Sequence, residues 1–196
     1  MTARTVISRT LAAVPLAAAL GLALPALPAA SAHSADRTGA RLSLAELTER
    51  ATAKVRPDHP QAVLMVAEGD APAGPTRDMS RVSHWRFVFN DRGNSSAEVS
   101  GDLDGTLGPV RVHGSRWVGA LPIEEKVTMT PAEAYARLTA AGHGDAFRYV
   151  SLVKPMGTPP WRLQYHFSHH PGGCDGYAVF VTDGGTAPIC GAASAG

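Results

Sequence analysis

The residues with the most evident chemistry in this chain are His166-Phe167-Ser168-His169-His170, with Cys174 just beyond them. Imidazoles at that density suit zinc or copper. If the strand begun at Trp161 continues through the run, His166 and His170 share a face but lie about 13 Å apart, at roughly 3.3 Å per residue. His169 then points to the opposite side. A metal site built from His166, His169 and His170 therefore requires a sharp turn near Ser168. The plainer reading is a polar strand end entering the Pro171-Gly172-Gly173 turn.

Other constellations point away from chemistry. Asp102-x-Asp104-Gly105 lacks the further oxygen ligand before the glycine and the later bidentate Glu of a calcium loop, so it reads as a hairpin turn. No Gly-x-Ser-x-Gly, His-Glu-x-x-His, phosphate loop or dinucleotide fingerprint occurs. His, Ser and Asp are plentiful, but no spacing singles out a triad. The expectation is a protein that is not an enzyme and carries no cofactor.

The chain of 196 residues has two cysteines and a formal net charge of +1. That balance gives no general attraction to nucleic acid or to an anionic membrane. Residues 1–32 read as a secretory signal of the Sec type. Arg4 and Arg9 supply the basic start, Leu11 to Leu24 the apolar core, and Ala30-Ser31-Ala32 the small-x-small cleavage site, cut after Ala32. The apolar run is short and broken by Pro15 and Pro25, which speaks against stable membrane insertion. A secreted product makes Cys174 and Cys190 a disulfide rather than a catalytic thiol and its spectator. Such a bridge closes a short loop and adds roughly 3 kcal/mol in the chain-entropy account.

Two capping boxes organise the rest. Ser43-Leu44-Ala45-Glu46 opens one helix, with Leu44, Leu47, Ala51 and Val55 along one face and Pro57 stopping it. Thr130-Pro131-Ala132-Glu133 opens another, with Pro131 at the first helical position, Ala134, Leu138 and Ala141 as its stripe, and Gly142 to end it. Strand signals follow each helix: Ala62 to Ala67, His84 to Asn90 and a weaker pair bent at Asp104-Gly105 after the first. After the second come Phe147 to Val153, Trp161 to Phe167, and Tyr177 to Ile189 folded at Asp183-Gly184-Gly185.

The common order of these signals reads as an internal duplication, with Trp85-Arg86 matching Trp161-Arg162 and Asp104-Gly105 matching Asp183-Gly184. The expected fold class is α+β, in two tandem units, each one helix packed on an antiparallel sheet of three to four strands. Residues 33–42 form a flexible N-terminus, 43–116 the first repeat, 117–129 a connector and 130–196 the second repeat. Trp117, in the connector, is expected to plug the two halves together or to anchor an interface. The long Gly69–Ser83 loop is the expected partner contact, through Asp70, Arg77, Asp78, Met79 and Arg81.

Ala132-Glu133-Ala134 in the helix and Val181-Thr182-Asp183-Gly184-Gly185-Thr186 in the hairpin carry a resemblance to the PepSY and PepSY-like families. Asp102-Leu103-Asp104-Gly105-Thr106 is the weaker echo in the first half. The tandem layout also resembles, more distantly, a secreted β-lactamase inhibitor built from two helix-plus-sheet repeats. The resemblance implies an exported module that binds or restrains another protein, and it brings no catalytic residues. The expected function is a secreted, non-catalytic protein-binding module with an extracytoplasmic partner, an inhibitor of an extracellular hydrolase or peptidase being its sharpest form. The alternative is an exported zinc- or copper-binding protein using His166, His169 and His170.

Overall fold

A computed structural model describes residues 41–157 and 160–190. The expected signal, the cleavage site and most of the segment expected to be flexible lie outside the described residues. Both helices begin where their capping boxes place them. Helix α1 spans Leu44–Val55 and helix α2 spans Pro131–Ala140. In α1 the Glu46 amide donates to Ser43 Oγ (3.2 Å) while the Ser43 amide donates back to the Glu46 carboxylate (2.8 Å). Thr130 and Glu133 repeat the exchange at α2 (3.2 and 2.7 Å). Each box satisfies amides that a helix start would otherwise leave without partners. Gly142, at φ +86°, takes the left-handed conformation that closes α2.

The eight strands are β1 (Val63–Asp70), β2 (His84–Asn90), β3 (Ser96–Asp102), β4 (Arg111–His113), β5 (Tyr149–Val153), β6 (Gln164–Ser168), β7 (Tyr177–Phe180) and β8 (Thr186–Pro188). They form one antiparallel sheet in the order β4-β3-β2-β1-β5-β6-β7-β8. This corrects the expected architecture of two separate helix-on-sheet units. The join is β1 against β5, from Val66 opposite Val153 to Asp70 opposite Tyr149. Kept apart, each unit would expose one of these strands as an apolar edge with unpaired amides and carbonyls. Pairing them satisfies both ladders and fuses the two halves into one sheet.

Both helices lie on the same face, α1 over β3 and α2 over β6 and β7. A single core runs beneath them. It includes Leu47, Ala51 and Val55 of α1, Trp85, Phe87 and Phe89 of β2, Tyr135 and Leu138 of α2, and Tyr165 and Phe167 of β6. Tyr135, Phe147 and Phe167 pack as three tilted rings with centroids 4.9 to 5.5 Å apart. The Tyr165 hydroxyl, buried with its ring, donates to the Met129 carbonyl (2.9 Å). Gly69 is required where it stands, because a Cβ there would meet Val82 at 2.7 Å and the Trp85 indole at 2.9 Å.

The Trp-Arg correspondence fails in space. Trp85 is in the β2 ladder and 1% exposed, whereas Trp161 precedes β6 and is 52% exposed. The expected strand from Trp161 starts only at Gln164. Arg41 and Leu42 are tied rather than free: the Leu42 amide donates to Leu103 O (2.7 Å), and Arg41 donates to the carbonyls of Ser80 and Val82 (2.6 and 2.9 Å).

Leu47 is fully buried under α1, while Glu49 on the same helix faces solvent. Leu47→Ala is expected to cost about 3 kcal/mol in equilibrium urea unfolding, with Glu49→Ala within about 0.5 kcal/mol of the parent.

Candidate functional site

The face of the sheet turned away from the helices carries the candidate site. Alternation along each strand puts every second side chain there, and the register lines them up in rows across the strands. One row runs Ser100, Arg86, Glu68, Ser151, His166 and Ala178. A neighbouring row runs Glu98, Val88, Val66, Val153 and Gln164.

The connector between the halves is strapped across part of this face. The Ser96 hydroxyl donates to Ser115 O (2.9 Å). Asn90 holds the Trp117 backbone from both sides: the Trp117 amide donates to Asn90 Oδ1 (2.8 Å), and Asn90 Nδ2 donates to Trp117 O (2.9 Å). The indole then packs against the small buried cluster of Val66, Val88, Ala120 and Val153. Because Val66 and Val88 belong to one half and Val153 to the other, Trp117 does bridge them. The strap continues to the segment after β5, where Ala120 pairs with Pro155 and the Leu121 amide donates to Lys154 O (2.7 Å).

A second wall faces the strap. It consists of the β6–β7 loop at Gly172 and the chain after β8 at Ile189 and Cys190. The Cys174–Cys190 disulfide, Cα to Cα 5.2 Å, ties those two segments together. Between the walls lies a groove of about 590 Å³, floored by Val66, Glu68, Ser151, Val153 and His166. A smaller cavity of about 260 Å³ continues it past Glu68 toward Asp70, His84 and Tyr149. Of the exposed large apolar residues, Met156 lines the groove, Val118 stands on the strap between the lining residues Trp117 and Gly119, and the Trp161 indole donates to the carbonyl of the lining Gly157 (2.8 Å).

Charge on the floor centres on Glu68. Arg86 donates to Glu68 Oε2 through Nε (3.0 Å) and Nη2, and to Glu98 Oε2 through Nη1 (3.1 Å). Burial alone would lower the Arg86 pKa, but the bonds and charges of the two carboxylates outweigh it and raise it. Arg86 is thus shared between two carboxylates; Glu98 also has His113 Nε2 at 3.8 Å and Arg111 opposite it on β4, whereas Glu68 has Arg86 as its one salt-bridge partner among the described residues. At the other end, His166 Nε2 is buried and has no hydrogen-bond partner among the described residues. Desolvation lowers its pKa from 6.5 to about 4, so the imidazole is neutral at pH 7.

The metal site that the sequence offered as the alternative reading, from His166, His169 and His170, does not assemble. His166 faces the groove floor. His169 lines a separate small cavity beside Leu138, Phe147 and Tyr177 on the helix side. His170 turns out to Asp175 (Nδ1 to Oδ2, 2.8 Å). The strand ends at Ser168, but the turn that follows carries the three rings away from one another. Among the described residues no group of three His, Cys, Asp or Glu is placed to hold a metal ion.

The expected contact loop is also differently used. Asp70 is the last residue of β1, opposite His84 and Tyr149. Thr76 bridges Phe147 in both directions (2.7 and 2.9 Å), and the Asp78 carboxylate caps the Ser80 amide (2.8 Å) at a short 3₁₀ turn, Met79–Arg81. Met79 packs on the core and Val82 is buried, so the middle of this loop is part of the fold. Arg77 and Arg81 stay exposed.

Sequence reasoning passed over Glu68, Arg86 and Ser151. Their signal was alternation: Glu68 and Arg86 sit at every-second positions among apolar residues, which marks a second, polar face.

No protein-family profile matches the chain, and no curated protein does. Among solved structures it is similar to a "putative lipoprotein" from Clostridium difficile 630. The identity is 10% over 74% of this chain and 90% of that one, with a TM-score of 0.46. The disulfide pair fits an exported protein. Among the described residues no helix is long and apolar enough to cross a membrane.

The unfolded chain takes up a proton on His166 below pH 6.5 that the folded chain refuses until about pH 4. The stability this imidazole carries is therefore complete above pH 6.5 and is lost as pH falls toward 4, on the order of 3 kcal/mol. His166→Gln should flatten that part of the stability-against-pH curve, read by urea unfolding at pH 7 and pH 4.5.

Proposed function

We propose that this chain is an exported, non-catalytic binding protein that seats a segment of a partner protein in the groove on the open face of its sheet. The carrying observation is the groove itself: two walls built from distant parts of the chain over a floor with a buried, unpartnered imidazole nitrogen. Its volume falls in the range of known ligand sites, and its lining joins apolar walls to a few convergent polar groups. The apolar residues beside it give a partner surface to bury. Release into the medium after cleavage at Ala32 belongs to the same reading, as does restraint of an extracellular hydrolase or peptidase, the form of binding implied by the PepSY-like resemblance.

A photo-crosslinking amino acid placed at Met156, beside the groove, and at Glu49, on the far helix, tests the reading in the medium into which the chain is exported. A partner band at least tenfold stronger from position 156, abolished by a groove-filling Ser151→Trp change, is the expected result. Equal crosslinking from both positions, or capture from Glu49 alone, would place the partner elsewhere.

A further inference from the structure

The groove floor has a sign. Resting on the groove reading above, we propose that it selects a lysine or arginine side chain of the partner, flanked by apolar residues. The argument begins with Glu68, which lines both the main groove and its extension. Both Arg86 bonds fall on the same Glu68 oxygen, Oε2. The guanidinium is shared with Glu98, itself largely buried, so Arg86 cannot fully neutralise either carboxylate.

Arg86 is the one lysine or arginine among the residues lining the groove and its extension, and among the described residues Glu68 has no other salt-bridge partner. Lys154 pairs with Glu125, Arg162 pairs with Asp183, and the Arg148 guanidinium stands over the Tyr149 ring, 5.4 Å from its centroid. An incoming anion would meet the Glu68 carboxylate and a neutral imidazole. A cation would meet a carboxylate with one oxygen clear of Arg86, and the Ser151 hydroxyl directly opposite Glu68 on β5.

The apolar part of the groove accounts for the rest of a long basic side chain. Its methylene stem would run along Val66, Val153 and Trp117 while its charged end reaches Glu68. Oppositely charged groups closing together in a partly dry groove gain more than they would on an open surface, which is the basis of the selection.

Three blocked peptides separate this inference from the reading it rests on: acetyl-Leu-Lys-Leu-amide, its norleucine counterpart and its glutamate counterpart. Each is titrated into the isotope-labelled protein, with the backbone amides of Gly119, Gly157 and Gly172 followed by NMR. The lysine peptide should bind at least tenfold more tightly than the norleucine peptide, with the glutamate peptide weakest. Glu68→Gln should erase the lysine preference, read as the ratio of lysine-peptide to norleucine-peptide affinity in the same variant. Should that variant fold poorly, an acetyl-lysine peptide on the unaltered protein makes the same test, because it keeps the stem and removes the charge. Equal binding of lysine and norleucine peptides at the groove amides would overturn the basic anchor and leave the groove standing. Absence of shifts at those amides with all three peptides would overturn both.

Discussion

The β1–β5 ladder is the interaction on which the remainder depends. Five residue pairs, Val66–Val153 through Asp70–Tyr149, turn two short sheets into one. Each of those strands is already paired on its other side, β1 with β2 and β5 with β6, so the join leaves neither with a free edge. The edges move to β4 and β8, which are only three residues long, and β8 ends in Pro188. Short, proline-bearing edges are poor templates for further strand addition. The fused sheet is therefore both wide and closed to growth.

Fusion also gives the sheet two unlike faces. On one, α1 and α2 cover a continuous core. On the other there is no helix, and the strap from Ser115 to Ala120 covers only the Val66, Val88 and Val153 row. The remaining positions include the charged groups Glu68, Arg86 and Glu98, the Ser100 and Ser151 hydroxyls and the His166 imidazole. Arg86 and Glu68 answer each other across β2 and β1 because both sit on the second face at the same level of the ladder. The groove follows from incomplete cover: a floor that would be a surface elsewhere becomes a recess once Trp117 and the disulfide-tied segments rise on either side.

Much of this was legible in the chain. Ser43/Glu46 and Thr130/Glu133 fixed both helix starts, because a capping box is a local exchange that needs nothing from the rest of the molecule. The turns at Gly105 and Gly184, both at positive φ, stood where their sequence placed them. The pairing of Cys174 with Cys190 followed from there being two cysteines in a chain read as exported. What could not be read was whatever depends on contacts between distant residues. Nothing in Val63–Asp70 or Tyr149–Val153 says that they pair, since an apolar strand reads the same at an edge and at the centre. For the same reason the sequence left open whether a turn near Ser168 brings His166, His169 and His170 together; they occupy three environments in space. Trp85 and Trp161 looked like equivalents, yet one is core and the other surface.

The strap has a further consequence, for the order in which the molecule comes into being. Asn90 of β2 grips the backbone at Trp117, the indole needs Val153 to pack against, and the opposite wall needs Cys190 to reach Cys174. Every part of the recess is thus borrowed from a stretch of chain that emerges at a different time. Contacts of such long sequence separation close late and slowly, after the local helices and hairpins are in place. The recess is consequently the last feature to exist. It is complete only when the entire sheet has been joined and Cys190 has reached Cys174, so a chain still crossing a membrane has no recess at all.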